Sequence, residues 1–153
     1  MSMRFTKKIM FAIEAVLDIA YHISEDPVQS NDISERHGIP KRYLEQVLQG
    51  LVRTDVLKGT RGPKGGYTLA KERRRITLAD IVRVVNKIEQ SSQLWDVETG
   101  SKLSITILRP LWQEMYESNM NFLSSVTLQD LCDRAKISGV KGIEKTNPDN
   151  FMI

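Results

Sequence analysis

Apolar residues recur at intervals of three and four near the start of the chain. Ile9, Ile13, Val16, Ala20 and Ile23 fall on one stripe, which predicts an amphipathic helix over residues 7–23. After Pro27, Ser30 is a candidate N-cap for a helix of barely two turns, NDISERH, that stops at Gly38. Pro40 suits the first position of the next helix, KRYLEQVLQGLVRT, in which Tyr43, Leu44, Val47, Leu48 and Leu51 face inward. The period then changes. VLKG (56–59) and GYTLA (66–70) are short runs rich in β-favouring residues on either side of TRGPKG, which predicts a hairpin. Thr77 with Asp80 has the spacing of a capping box before LADIVRVVNKI, where Leu78, Ile81, Val82, Val85 and Ile88 make one face. Periodicity is lost over 90–102, which predicts a loop. It returns from Leu103 to Leu123, with Pro110 either in the first turn or at a kink. A second Thr-x-x-Asp pattern, Thr127 with Asp130, opens a last short helix, LQDLCDRA. From Ile137 onward the glycines, Pro148 and scarcity of apolar anchors predict a poorly ordered tail.

A short helix, a glycine-containing turn and a second helix that begins with basic and amide side chains make a helix-turn-helix, and a hairpin directly after it makes a winged helix. The expected fold is therefore mainly α with a small β-hairpin wing, followed by a long helix. In that reading RGPKGG is the wing tip. Four of the nine glycines, Gly59, Gly62, Gly65 and Gly66, fall within the eight residues 59–66 to make the turn, and Arg61 and Lys64 project from it. The long helix carries Leu108, Leu111, Trp112, Met115, Tyr116, Phe122 and Leu123, a stripe too wide for burial against the parent domain alone. A homodimer would cover it, and Asn119, which interrupts the stripe, would fix register across the two-fold axis.

Composition narrows the class. A chain of 153 residues that is 41% apolar can bury one core. No apolar run approaches the ~20 residues of a membrane span, and the basic start of the chain does not look like a signal peptide. One cysteine, Cys132, excludes an internal disulfide framework and suits the cytoplasm. The net charge of +3 conceals an asymmetry. Between Lys41 and Arg75 ten basic residues face three acidic ones, an excess of seven, which leaves the remainder at −4. Such a segment calls for a polyanionic partner. Nothing points to an enzyme, because no Ser-His-Asp or Cys-His pattern occurs and RGPKGGY lacks the Gly-Lys-Ser/Thr ending of a phosphate loop. His22 and His37 are expected at helix ends rather than on a metal. Cys132, beside Leu128 and Leu131, is expected to be a buried structural thiol.

Four segments in order, DISERHGIPKRYLEQVLQGL, RGPKGGYTLA, ITLADIVRVV and LWQEMYESNMNFLSSVTLQDL, resemble the Rrf2 family of bacterial winged-helix transcription regulators over Met3 to about Ala135. The resemblance implies a winged-helix domain over 1–75, a helical linker, sensor loop and dimerisation helix over 76–136, and a tail over 137–153. It implies double-stranded DNA as the partner of a homodimer that represses transcription. The implied contacts are Lys41, Arg42, Tyr43, Glu45 and Gln46 at the start of the recognition helix, Arg61 and Lys64 on the wing, and Thr6 and Lys8 from the first helix. Their chemistry suits the assignment. Gln reads adenine, Glu accepts from cytosine, and Arg enters a narrow minor groove. Glu45 can equally well pair with Lys41. Where the family often has Gly-Arg, this chain has Ile9 and Met10, which removes one basic phosphate contact. Where cluster-binding members place three cysteines and a further ligand, the corresponding residues are Leu94, Gly100, Thr106 and Arg109, none of which ligates iron as a thiolate does. No cofactor is expected. The signal is then a small-molecule or protein effector, or the protein acts without one. The competing reading is a winged-helix interaction module that works mainly by binding another protein.

Overall fold

The computed structural model describes residues 7–89 and 100–144. Helix α1 (Lys7–Ala20) lays Ala12, Ala15, Val16 and Ile19 into the core, and α2 (Ser30–His37) and α3 (Lys41–Arg53) cross beside it. Ser30 is not the cap that its type suggests. Gln29 occupies that position, extended and without a side-chain cap bond, and Ser30 is already helical. Gly38 closes α2 in the left-handed conformation, φ 63°, and its N–H donates to Ser34 O. Pro40 stands one residue ahead of α3, where its carbonyl accepts the first bond, from Leu44 N at 2.9 Å. Leu44, Val47, Leu48 and Leu51 are all essentially inaccessible, so the inward face of α3 is fixed and so, by exclusion, is the outward one.

Strands β1 (Leu57–Thr60) and β2 (Gly66–Leu69) pair antiparallel in the register Leu57↔Leu69, Lys58↔Thr68, Gly59↔Tyr67 and Thr60↔Gly66. Val28, from the segment between α1 and α2, adds an antiparallel bridge from a third segment to the hairpin. Its N–H donates to Tyr67 O at 2.9 Å and its carbonyl accepts from Tyr67 N at 2.8 Å. Two glycines are required here. Gly66 has φ 152°, and a Cβ there would lie 2.4 Å from Val28 O, while one at Gly65 would lie 2.2 Å from Thr60 O.

After a short 3₁₀ turn at Arg73–Arg75, both Thr-x-x-Asp patterns form complete capping boxes. Thr77 caps α4 (Leu78–Ile88), and Thr127 caps α6 (Leu128–Ile137). The two caps also pair with each other. Leu78 N donates to Val126 O and Leu128 N to Ile76 O, both at 2.9 Å, so the two helices start from one point. Between them α5 (Arg109–Ser125) is entered through a π-helical turn at Ser104–Leu108, in which Arg109 N donates to Ser104 O. Pro110 takes the first of its two expected placements, in the first turn of α5, where its missing N–H costs little and the wider turn before it leaves room for the ring. The loop expected over 90–102 therefore ends early, at Ser101, and residues 90–99 lie outside the described residues.

The expected tail is also partly built. Ile137 ends α6, and the chain then returns to the end of α1, where Ile23 N donates to Ile143 O and Ile143 N to Tyr21 O, each at 3.0 Å, and the Tyr21 hydroxyl donates to Val140 O. The part of that expectation covering 145–153 lies outside the described residues.

Candidate nucleic-acid interface

Burial of one face of α3 turns Lys41, Arg42, Glu45, Gln46 and Gln49 to solvent. No ion pair joins Glu45 to Lys41 among the described residues. Glu45 instead faces the hairpin: burial first and the Glu45 carboxylate second push the Tyr67 hydroxyl above its ordinary pKa. Arg61 and Lys64 are exposed at the tip, where Gly62 takes φ 108° and Gly65 N donates to Gly62 O at 2.9 Å. A groove of about 690 Å³ joins the two elements. Gln49 and Arg53 line it from α3, Ser30 and Asn31 from the start of α2, and Thr60, Arg61 and Tyr67 from the hairpin.

Two expected contacts are already engaged elsewhere. The Tyr43 hydroxyl donates to Lys8 O at 2.7 Å, tying α3 to α1, and burial, helped by the Glu89 carboxylate, holds it protonated far above the ordinary tyrosine range. Lys8 lies 5.8 Å from the centre of the Tyr43 ring and pairs with Glu89 at 2.8 Å. Both therefore act first as supports of the recognition helix. Thr6 lies outside the described residues.

Sequence reasoning missed the buried carboxylate behind the helix-turn-helix. Asp18, 1% exposed, accepts from Arg36 Nε at 2.8 Å and Nη2 at 2.9 Å and from His37 Nε2 at 2.7 Å, while His22 Nδ1 donates to the Asp18 carbonyl at 2.7 Å. Burial opposes ionisation of this carboxyl, but the hydrogen bonds from Arg36 and His37 outweigh it and hold its pKa below the ordinary value. The network locks the end of α2 onto α1. Its only trace in the sequence is an aspartate on the apolar stripe of α1. The two histidines do sit at helix ends, and no group of three metal-binding side chains occurs among the described residues.

On α5 the expected stripe divides. Leu108, Leu111, Trp112, Met115 and Phe122 are exposed, Phe122 to 63%, whereas Leu123 is 5% exposed and packs with Met120 into its own core. Leu123, expected at the interface, is thus covered by its own core: one position is about 100° of helix, enough to turn it away from solvent. Tyr116 is also drawn onto the core, and Asn119 is half-buried with an interaction of its own. The exposed apolar surface extends further than expected, through Leu103, Ile105 and Ile107.

A helix-turn-helix, a basic wing and a long helix with an uncovered apolar face define a winged-helix regulator. A family model described as an iron-dependent transcriptional regulator, Rrf2, matches residues 5–134, and the chain belongs to that family. It is 34% identical over 140 residues to the HTH-type transcriptional regulator IscR of Photorhabdus laumondii, covering 92% of this chain and 85% of the relative. Among solved structures it resembles T. potens IscR, with a TM-score of 0.68 at 31% identity and coverage of 90% and 91%. CymR, the global cysteine regulator of B. subtilis, superposes with a TM-score of 0.65 at 26% identity, covering 87% of this chain and 98% of that one. These relatives are transcriptional regulators, not enzymes.

The donor chemistry of this chain does not fit an iron–sulfur cluster of the kind that the resemblance implies. Clusters are held by thiolates, and the single cysteine, Cys132, is buried on α6. At the positions where the resemblance implies ligands, Gly100 offers no side-chain donor, Thr106 offers a hydroxyl and Arg109 a cation, while Leu94 lies outside the described residues.

Proposed function

We propose that the chain is a homodimeric, sequence-specific DNA-binding repressor that works in the cytoplasm without an iron–sulfur cluster. Residues 1–75 form its DNA-binding part, 76–136 its linker and dimerisation part, and 137–153 its tail. The observation that carries the reading is the groove in which the outward face of α3 meets the wing. Arg42, Glu45 and Gln46 stand on a helix whose opposite face is fully buried, and Arg61 lines the same groove as Gln49 and Arg53. A helix of this kind fits a major groove while a basic wing follows the adjacent minor groove. Leu108, Leu111, Trp112, Met115 and Phe122 face a second copy, which sets two recognition helices at the spacing of two half-sites.

The test is a salt titration on a duplex selected from a random pool and on a scrambled control. Arg61→Ala weakens binding to both duplexes and lowers the salt slope by about 0.9, one phosphate's worth of released counterion. Gln46→Ala costs about 1–3 kcal/mol on the selected duplex alone and leaves the slope unchanged. A protein that selects no duplex, and is not retained on heparin, is an interaction module instead. A footprint that covers the promoter and lowers transcription in a purified system establishes repression; one that raises it reverses the sign.

A further inference from the structure

The basic segment Lys41–Arg75 is continuous in sequence but divided in space. Arg61 and Lys64 stand at the wing tip, while Lys71, Arg73 and Arg74 lie beyond the open end of the hairpin, roughly 10 Å of strand away. There they line a separate cavity of about 720 Å³, bounded by the end of α1, the segment after it, β2, the 71–74 turn and Gln129 at the start of α6. Its volume falls within the range of small-molecule sites. Ile19, Ala20 and Val28 supply apolar lining, and Glu25 and Asp26, from the segment after α1, line the same cavity as the basic turn. Glu72 and Arg74 pair with each other at 2.5 Å. Lys71, Arg73 and Glu25 have no ion-pair partner among the described residues, so the lining carries charges of both signs that do not pair with each other.

We propose that this cavity binds a small zwitterion carrying an α-amino and a carboxylate group, a free amino acid or a short peptide, and that its occupancy sets the position of the wing. The carboxylate meets Lys71 and Arg73, the ammonium meets Glu25, and the side chain lies over Val28 and Leu69. An anion alone would leave Glu25 in the same lining without a partner, and a cation alone would meet the two bases. Coupling to the wing is built in. Val28 is part of the cavity wall and is bonded at both its N–H and its carbonyl to Tyr67 of β2, and Arg73 Nη1 donates to Ala20 O at the end of α1 at 3.4 Å. The inference rests on the reading of the chain as a regulator only for this coupling, not for the site.

The site is tested without DNA. The full chain is titrated with each common amino acid at millimolar concentration and followed by thermal melting and calorimetry. The expected result is a saturable rise in melting temperature with one or a few amino acids, lost with the matching N-acetyl acid and with the matching decarboxylated amine. Glu25→Gln, at an exposed position, and Lys71→Gln, at a half-buried one, fold normally and lose the response. No shift with any amino acid or dipeptide overturns the proposal, as does equal binding of the acetylated acid or of the amine. The coupling predicts that the bound amino acid changes affinity for a selected duplex on the order of tenfold, and an unchanged affinity removes the regulatory half. A chain that binds the amino acid but no duplex keeps the site and defeats the regulator.

Discussion

Two parts of this molecule treat the same kind of side chain in opposite ways. From Ile9 to Val85 nearly every large apolar residue is covered by the chain itself, and even Asp18, the one buried charge among the described residues, finds its partners, Arg36 and His37, on α2. From Leu103 to Phe122 the chain leaves Leu103, Ile105, Ile107, Leu108, Leu111, Trp112, Met115 and Phe122 in solvent. Apolar surface of that extent is a cost unless something covers it. The first part is thus a domain that specifies itself, and the second is, on the proposed homodimer, half of a structure completed by another copy. Substitutions in the first part should change stability whatever the protein concentration. Those in the second should change assembly.

The largest effect is expected at Asp18. Asp18→Ala leaves the Arg36 guanidinium and the His37 imidazole without their acceptor, a loss of about 3 kcal/mol in urea unfolding at neutral pH. The pH dependence has a definite sign. The folded-state pKa of Asp18 is depressed, so its contribution is present above the ordinary carboxylate range and is lost as pH falls through that range and below it. The wild type should lose more stability than Asp18→Asn on acidification, and parallel acid limbs for the two proteins would mean that the network does not hold α2 in place.

Next come two adjacent residues with opposite fates. Leu123→Ala opens a cavity in the self-covered part and should cost about 2–5 kcal/mol at every protein concentration. Phe122→Glu should leave monomer stability within about 0.5 kcal/mol and instead shift the mass seen by light scattering from dimer to monomer. If Phe122→Glu unfolds the chain, or remains a dimer, the division between the two parts fails.

A smaller and more local effect belongs to the wing. Gly66→Ala places a Cβ against Val28 O, so the bridge from Val28 to the hairpin must open. Strain of this kind costs about 1–3 kcal/mol. Amide exchange should accelerate at Val28 and Tyr67 while the amides of α4 keep their protection.

What the sequence made legible follows the same boundary. The helix-turn-helix, the wing and both capping boxes were readable because each rests on neighbours within a few residues: Thr77 with Asp80, Gly62 with Gly65, Leu44 with Val47 and Leu48. The missed features depend on pairs far apart in the chain. Asp18 meets Arg36 and His37 across two helices, Val28 meets Tyr67 across the helix-turn-helix, and Ile23 meets Ile143 across nearly the whole described fold. The stripe on α5 was read correctly as apolar, but a stripe does not say which of its edges turns inward. That was decided by the packing of Met120 and Leu123 against the parent core. In the candidate site, Arg42, Glu45, Gln46, Arg61 and Lys64 are exposed as expected, whereas Tyr43 and Lys8 are engaged by partners that no local pattern announces.

Tyr43 gives the smallest expected effect and the finest test of where the self-covered part ends. If its hydroxyl serves only to tie α3 to α1 through Lys8 O, Tyr43→Phe removes one neutral hydrogen bond and keeps the ring under Lys8. The loss of stability is then about 1 kcal/mol. Any loss of DNA affinity should be equal on selected and scrambled duplexes, because a slightly looser recognition helix presents all of its contacts less well. The salt slope stays constant, since no cation is removed. A loss confined to the selected duplex, with stability unchanged, would instead show that the hydroxyl leaves Lys8 on binding and contacts DNA itself. Tyr43 would then belong with Gln46, and the boundary between support and contact would run one turn deeper into α3.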